Sequence, residues 1–279
     1  APTLTDLGLR GMGLKVFETN ITRPNGIILI TGPTGSGKTT TLFAALSKIN
    51  SPKVNIVTLE DPVEYQIPGV NQVQINPVAG LTFASGLRSF LRQDPNIIMV
   101  GEIRDSETAG LAIQAALTGH LVFSTLHTSS SAGALPRLLD MGAETFLLAS
   151  SMNAIAAQRV VRKICDHCRE AYDPPELVVQ NIKAVLGNLA NQVTEKKLDP
   201  AESKDVNELS DNKKFKLYKG KGCDQCGDSG YKGRMGIYEV LNITEKIGKL
   251  ILERSPSNQI ENAAIADGMI TMKQDGYLK

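Results

Sequence analysis

Eight consecutive residues, Gly32-Pro33-Thr34-Gly35-Ser36-Gly37-Lys38-Thr39, constrain this chain more than any other segment. They satisfy the pattern G-x-x-x-x-G-K-[ST] in full. The apolar run Ile27-Ile28-Leu29-Ile30 precedes them and a helical stretch, Thr40 to Ile49, follows. A strand, a glycine-rich turn and a helix in that order make a cradle for phosphate. Glycines let successive N–H groups turn inward where Cβ atoms would block the path. The helix directs its N-terminus at the same anion. In such a cradle the Lys38 ammonium reaches the β- and γ-phosphates, and the Thr39 hydroxyl ligates Mg²⁺. Thr34, Gly35, Ser36, Gly37 and Thr40 complete the candidate nucleotide-binding set.

The strand before the loop is apolar throughout, as in a parallel sheet covered on both faces. Three more segments read as strands: Val54-Asn55-Ile56-Val57-Thr58-Leu59, Ile97-Ile98-Met99-Val100 and Leu121-Val122-Phe123-Ser124-Thr125. Ile103, Ala109, Leu111, Ala112, Ala115 and Ala116 give helical periodicity between the last two. Strand–helix–strand alternation predicts an α/β domain with a parallel or mixed sheet. Before it lies a short amphipathic stretch from Leu4 to Phe17, and from Ile237 to Lys279 the pattern reads as helical.

A P-loop ATPase needs one carboxylate for the metal shell and one to polarise the attacking water. Two acidic clusters stand at strand ends, Glu60-Asp61-Pro62-Val63-Glu64 and Gly101-Glu102. Open α/β sheets bind ligands at that edge. Glu60 and Glu102 are the candidates, and which of them serves the water is open. Capping a turn is an alternative role for Asp61. His127 follows the fourth strand, where it is placed to sense the γ-phosphate. His120 precedes that strand and reads more readily as a structural hydrogen-bonder. Arg88 and Arg92, read as sharing one helix face at i, i+4, and Arg104 flank the third strand. Their alternatives are surface solvation and charge neutralisation at phosphates, within one chain or from a neighbouring subunit.

With 279 residues the chain has room for two domains, or for one large domain with an appendage. Apolar residues make up 42% of it, which excludes wholesale disorder. Thirty Lys and Arg against twenty-nine Asp and Glu leave +1, so no basic field supports bulk nucleic-acid binding. No apolar run reaches the ~18 residues of a membrane span. The four cysteines form two pairs, Cys165-x-x-Cys168 and Cys223-x-x-Cys226. Each pair can bring two thiolates to one tetrahedral Zn²⁺. Four free thiols or a redox pair are the alternative. His167 lies within the first pair, but four cysteines already complete a closed, structural site. Between the pairs a helix is predicted from Pro175 to Val193. A charged run from Glu195 to Lys216 follows it and reads as a solvated loop.

Four segments in this order resemble the ATPases of bacterial type II secretion and type IV pilus assembly. They are Gly32–Thr39, Leu59-Glu60-Asp61-Pro62-Val63-Glu64, Val100-Gly101-Glu102-Ile103-Arg104-Asp105 and Thr118-Gly119-His120 with Thr125-Leu126-His127-Thr128. They are similar to that family's Walker A, Asp box, Walker B and His box, and the match runs over roughly residues 3–279. The resemblance implies an ATP hydrolase with a RecA-like P-loop core over 1–158, a tetracysteine zinc module over 159–236 and a truncated helical subdomain over 237–279. ATP, Mg²⁺ and Zn²⁺ are the cofactors it implies. Glu60, Glu102, His127, Arg88, Arg92 and Arg104 become candidate catalytic residues, with Thr39 and Glu102 at Mg²⁺. Arg234, in Gly233-Arg234-Met235-Gly236, resembles the family residue that lies against adenine.

The resemblance further implies a homohexamer in the full-length protein. That hexamer would dock on an inner-membrane platform protein at the cytoplasmic face, without nucleic acid. The family's preceding domain, which lends arginines to the site, and its usual helical tail are not matched here, so the chain resembles an isolated motor fragment. The spacer between the cysteine pairs is longer than is usual for the family. Assembly and secretion members carry the tetracysteine module and retraction members lack it, which favours extrusion. A RecA-like nucleic-acid translocase and a nucleotide-gated scaffold are the competing functions.

Overall fold

The computed structural model describes residues 2–190 and 216–279. The charged run, apart from Lys216, and the last residues of the helix predicted to Val193 lie outside the described residues.

Among the described residues seven strands form one sheet: β1 (Gly26–Thr31), β2 (Ile56–Glu60), β3 (Asn71–Gln74), β4 (Ile97–Val100), β5 (Leu121–Leu126), β6 (Met152–Ile164) and β9 (Tyr231–Asn242). Their order is β3-β2-β4-β5-β1-β6-β9. All neighbours run parallel except β6 and β9, which pair antiparallel. A two-stranded ribbon, β7 (Arg169–Tyr172) with β8 (Leu217–Gly220), projects from the β6–β9 hairpin. The helices are α1 (Gly11–Ile21), α2 (Lys38–Ile49), α3 (Phe83–Phe90), α4 (Ser106–Leu117), α5 (Ala134–Asp140), α6 (Thr145–Ser151), α7 (Glu176–Leu186), α8 (Glu245–Leu252), α9 (Ser257–Ala266) and α10 (Met272–Leu278).

The central strands are buried residue by residue because both sheet faces are covered. Side chains alternate across the sheet. Ile27 and Leu29 of β1, Val57 and Leu59 of β2 and Ile98 and Val100 of β4 therefore share one core, with α3, α4, α6 and α8 over it. Ile28 and Ile30, Ile56, Met99 and Phe123 enter the other core, beneath Phe17 of α1 and Leu42 and Leu46 of α2. Alanines 109, 112, 115 and 116 line the buried side of α4, so its axis lies close to the sheet. Asp105 starts this helix, its Oδ1 accepting from the Thr108 N–H at 2.7 Å.

Two expectations change. Residues 237–242 form the end of β9, not a helix. Tyr238 and Val240 enter one core and Leu241 the other, a period of two in a run too densely apolar to show it. Helix begins only at Glu245, after the cap Thr244, whose Oγ1 accepts from the Ile247 N–H. The end of the core expected at residue 158 is also not a break in structure. β6 runs unbroken through it, parallel to β1 as far as Ala157 and paired with β9 to Ile164. The divisions expected at 158/159 and 236/237 thus fall inside two paired strands.

Asn153, 7% exposed, ties the start of β1 to the start of β6. Its Nδ2 donates to the Asn25 carbonyl at 2.8 Å, and Arg23 Nη1 donates to its Oδ1 at 3.1 Å. Gly26 has φ +115, and a Cβ there would lie 2.2 Å from Asn153 Nδ2. Asn153→Ala strips both partners at a buried junction. It should cost about 1–3 kcal/mol, read as a lower denaturant midpoint with an unchanged slope.

Candidate active site

β1, β2, β4 and β5 run parallel, so their C-terminal ends emerge along one edge of the sheet. A cleft of about 680 Å³ opens there. The loop after β1 contributes Thr34, Gly35 and Gly37, and α2 adds Lys38, Thr39 and Thr40. The β2 end contributes Glu60, Asp61 and Glu64, the β4 end Glu102 and Arg104, and the β5 end His127. Gln158 of β6, with Arg234, Gly236 and Tyr238 of β9, forms the far wall beside Asp6 and Leu7.

The glycines of the loop hold backbone that other residues avoid. Gly32 has φ +150, and a Cβ there would lie 2.4 Å from the Gln158 carbonyl oxygen. Gly37, φ +85, caps α2 and has Gln158 Nε2 in the place where its Cβ would point. Gln158 is 3% exposed and accepts from Thr41 Oγ1 at 2.9 Å through Oε1. Thr41 Oγ1 in turn lies 3.2 Å from the Tyr238 hydroxyl. Burial pushes the Tyr238 hydroxyl up to about 12, so it stays protonated. This polar contact fixes the loop and the first turn of α2 against β6 and β9. Sequence reasoning does not single out Gln158, Thr41 or Tyr238. The signal is there in Gln158, a lone polar residue ending the buried run Ala154 to Ala157.

Lys38 Nζ donates to the carbonyls of Gly32 at 2.9 Å and Pro33 at 3.1 Å. Partial burial lowers its pKa, and the nearby Glu102 charge opposes that shift. Glu102 accepts from Arg104 through Oε1, and its Oε2 lies 3.4 Å from His127 Nε2. Burial would raise the Glu102 carboxyl. The Arg104 hydrogen bond, with the charges of Arg104, His127 and Lys38, holds it below the ordinary carboxylate value instead. The Arg104 guanidinium is also 3.8 Å from Asp61 Oδ2. Glu60 is 3% exposed. Its Oε1 accepts from Thr58 Oγ1 at 2.6 Å and Gln72 Nε2 at 2.9 Å, whereas its buried Oε2 has no partner among the described residues. Ser36 Oγ is likewise buried and unpartnered among them.

Of these two atoms only the Glu60 oxygen belongs to a residue lining the cleft, where it fits a donor or a cation. A Cβ-free cradle, a lysine and a depressed carboxylate fit phosphate with a hard cation. Thr39 and Glu102 would hold Mg²⁺.

Other sequence candidates lie elsewhere. Arg88 forms a half-exposed ion pair with Glu107 of α4, outside the cleft lining. Arg92 stands in the turn after α3, not on one helix face with Arg88, and is also outside that lining. His120 sits at the opposite end of β5, its Nδ1 2.9 Å from the Ala115 carbonyl oxygen.

At the tip of the β6–β9 hairpin the four cysteines converge. Cys165 and Cys223 sulfurs are 3.9 Å apart, Cys168 and Cys226 3.8 Å, and Cys223 and Cys226 3.7 Å. Four sulfurs at ~2.3 Å around a tetrahedral Zn²⁺ stand about 3.8 Å apart. All four ligand atoms lie within 4.8 Å of one another, and exposed His167 is not among them. Burial raises the Cys226 thiol, but the N–H groups of Cys223 and Gly230 outweigh it and bring the thiol down to about 7. The donor set and spacing fit zinc. The long spacer does not separate the pairs, because β7 and β8 close its base next to them, Arg169 opposite Gly220. Cys165 lies seven positions beyond Gln158, just past the end of β6, or about 23 Å along the strand direction. The cysteines therefore stiffen the hairpin away from the cleft.

The whole arrangement is a mixed α/β fold with a parallel sheet and a glycine-rich loop at its C-terminal edge. The sequence matches the family described as type II/IV secretion system protein over residues 2–279, and the chain belongs to that family. It is 45% identical over 278 residues to the type IV pilus assembly ATPase PilB of Thermus thermophilus, covering 100% of this chain and 29% of that protein. It is 46% identical over 276 residues to the type II secretion system protein E of Dickeya dadantii, covering 99% of this chain and 50% of that one. The chain thus spans about half or less of these relatives. Among solved structures it is similar to the pilus retraction motor PilT with bound ADP, with TM-score 0.60, 28% identity, and 100% and 67% coverage of the two chains. The Legionella pneumophila ATPase DotB shares the fold, with TM-score 0.64, 23% identity, and 98% and 60% coverage.

Elemental analysis of protein purified without chelator should find about one Zn per chain. Thiolates must lose their protons to bind, so acidification toward pH 5 should release the metal. Cys223→Ser should loosen residues 160–235 to protease while nucleotide binding at Lys38 persists. A Cys165–Cys168 disulfide in place of metal would contradict the structural-zinc reading.

Proposed function

We propose that this chain is the motor portion of an ATPase whose ATP hydrolysis drives assembly of a type IV pilus or of the pseudopilus of type II secretion. The observation that carries the reading is the meeting of Lys38, Glu60, Glu102 and His127 in one cleft at the sheet edge. The sheet order and the loop after β1 support a RecA-like P-loop core. Mg²⁺, when bound, neutralises charge on the β- and γ-phosphate oxygens. Lys38 binds those phosphates. Thr39 and Glu102 hold the cation side. Glu60, with one buried oxygen free of donors, takes a proton or orients the attacking water. His127 sits against Glu102 and senses the γ-phosphate. Arg104 holds Glu102 charged, and Arg234 lies toward the base. Arg88 and Arg92, outside the cleft, are assigned to intersubunit contact.

We read three parts on one shared sheet: a core to residue 158, a hairpin with the candidate zinc cluster from 159 through the end of β9 at Asn242, and a helical region from Glu245 onward. In the whole protein a homohexamer docked on an inner-membrane platform protein is the working assembly. Attachment at the cytoplasmic face would be peripheral; among the described residues no helix is long and apolar enough to cross a membrane. The four-cysteine cluster and the relatives PilB and protein E favour assembly over retraction. A net charge of +1 speaks against a nucleic-acid translocase.

Lys38→Ala should cut ATP turnover by roughly 100-fold or more and weaken nucleotide binding. Near-normal turnover would contradict the site. Glu60→Gln and Glu102→Gln, compared in parallel, separate their roles. The variant that keeps Mg-ATP affinity but loses hydrolysis marks the carboxylate at the water, which this reading assigns to Glu60. The variant that also loses Mg²⁺ dependence marks the one at the cation.

A further inference from the structure

Glu239 lies on β9 next to Tyr238, and the two side chains take opposite faces of the sheet. Tyr238 lines the cleft, whereas Glu239, 4% exposed, reaches into the packing beneath the loop that follows β5. There Glu239 Oε1 accepts the Ser131 N–H at 3.0 Å and the Ser131 hydroxyl at 2.5 Å. Its Oε2 accepts the N–H of Met272, the first residue of α10, at 3.3 Å. One buried carboxylate thus joins three elements: the hairpin strand, the loop after β5 and the C-terminal helices.

Ser131 is fully buried and only four residues beyond His127. The intervening segment bends sharply and is tied by local hydrogen bonds. Thr128 Oγ1 donates to the Ser130 carbonyl at 3.0 Å, and the Gly133 N–H donates to Ser130 Oγ at 3.2 Å. The imidazole of His127 is half exposed, with its Nε2 3.4 Å from Glu102 Oε2. Its location therefore depends on where its backbone is held. The near end is held by β5, and the far end by Glu239. Two hydrogen bonds to one buried carboxyl oxygen hold this end of the loop.

We infer that Glu239 is a positioning residue: by clamping Ser131 it sets His127 against Glu102 and the γ-phosphate side of the cleft, and it makes that setting sensitive to the C-terminal helix α10. The inference rests on the reading of His127 given above. A small displacement of a group at the reacting phosphate costs turnover more than binding. Movement of α10 would pull on the same carboxylate that holds the loop.

The test measures kcat and KM for Mg-ATP, with thermal midpoints, on the intact protein carrying Glu239→Gln, Ser131→Ala, His127→Gln, and His127→Gln with Glu239→Gln. Glu239→Gln should lower kcat by about tenfold while KM stays within about threefold. Ser131→Ala, which keeps the N–H donor, should lower kcat in the same direction by less. The double variant should be no slower than His127→Gln alone, because the two residues act through one group. Wild-type kcat in Glu239→Gln, or losses that multiply in the double variant, would overturn the inference while leaving the site standing. Wild-type kcat in His127→Gln would overturn the reading of His127 and this inference with it. If Glu239→Gln does not fold, Ser131→Ala decides: unchanged kcat overturns the clamp.

Discussion

The parallel alignment of β1 with β5 and β6 is the constraint on which the rest depends. Parallel strands deliver all their C-terminal ends to one edge. The residues just past β1, β2, β4 and β5 meet in one cleft although they lie up to about a hundred positions apart in sequence. An antiparallel sheet would have sent alternate strand ends to opposite edges. Parallel strands require crossovers, and the crossovers put helices over both faces. The complete burial of β1, β2, β4 and β5 follows from that.

On this base the phosphate loop is held from behind. Gln158 approaches the backbone at Gly32 and Gly37 so closely that neither position accepts a Cβ without displacement. The chain of contacts from Gln158 through Thr41 to Tyr238 is buried and polar. Such contacts specify one arrangement, because a buried polar group left without a partner is costly. The two strands that supply them, β6 and β9, also form the hairpin that carries the cysteines. The cleft and the candidate zinc site therefore lie on one rigid ribbon, while the chemistry of each stays separate.

Much of this is legible in the sequence, for physical reasons. Ile27 to Ile30 and Ile97 to Val100 are apolar on both faces, which in a chain with intervening helices means a parallel sheet. The glycine spacing before Lys38 and the two Cys-x-x-Cys turns carry geometry in the residues themselves. The β6–β9 hairpin is harder to see. Ala154 to Ala157 has little strand propensity, and the residues from Ile237 are too densely apolar to reveal a period. Tertiary pairing along thirteen residues of β6 decides both segments. Gln158 reads as the edge of a domain because it shares the polar character of Arg159, Arg162 and Lys163. It is a buried contact within the sheet. Arg88 and Arg92 resist placement, since an arginine on an exposed helix end reads the same whether it serves solvent, an ion pair or a neighbouring subunit.

The central claim is that the strand ends form one nucleotide site, in which Lys38 takes the phosphates and Glu60, Glu102 and His127 face the γ-phosphate. A structure of the protein with Mg²⁺ and a non-hydrolysable ATP analogue tests it most directly. The account predicts the β- and γ-phosphates within hydrogen-bonding reach of Lys38 Nζ, which would have left the Gly32 and Pro33 carbonyls. It also predicts the cation beside Thr39 and a water held by a carboxylate across from the γ-phosphate. Phosphates bound away from the loop after β1, or Glu60 and Glu102 both out of reach of the cation and the water, would contradict it.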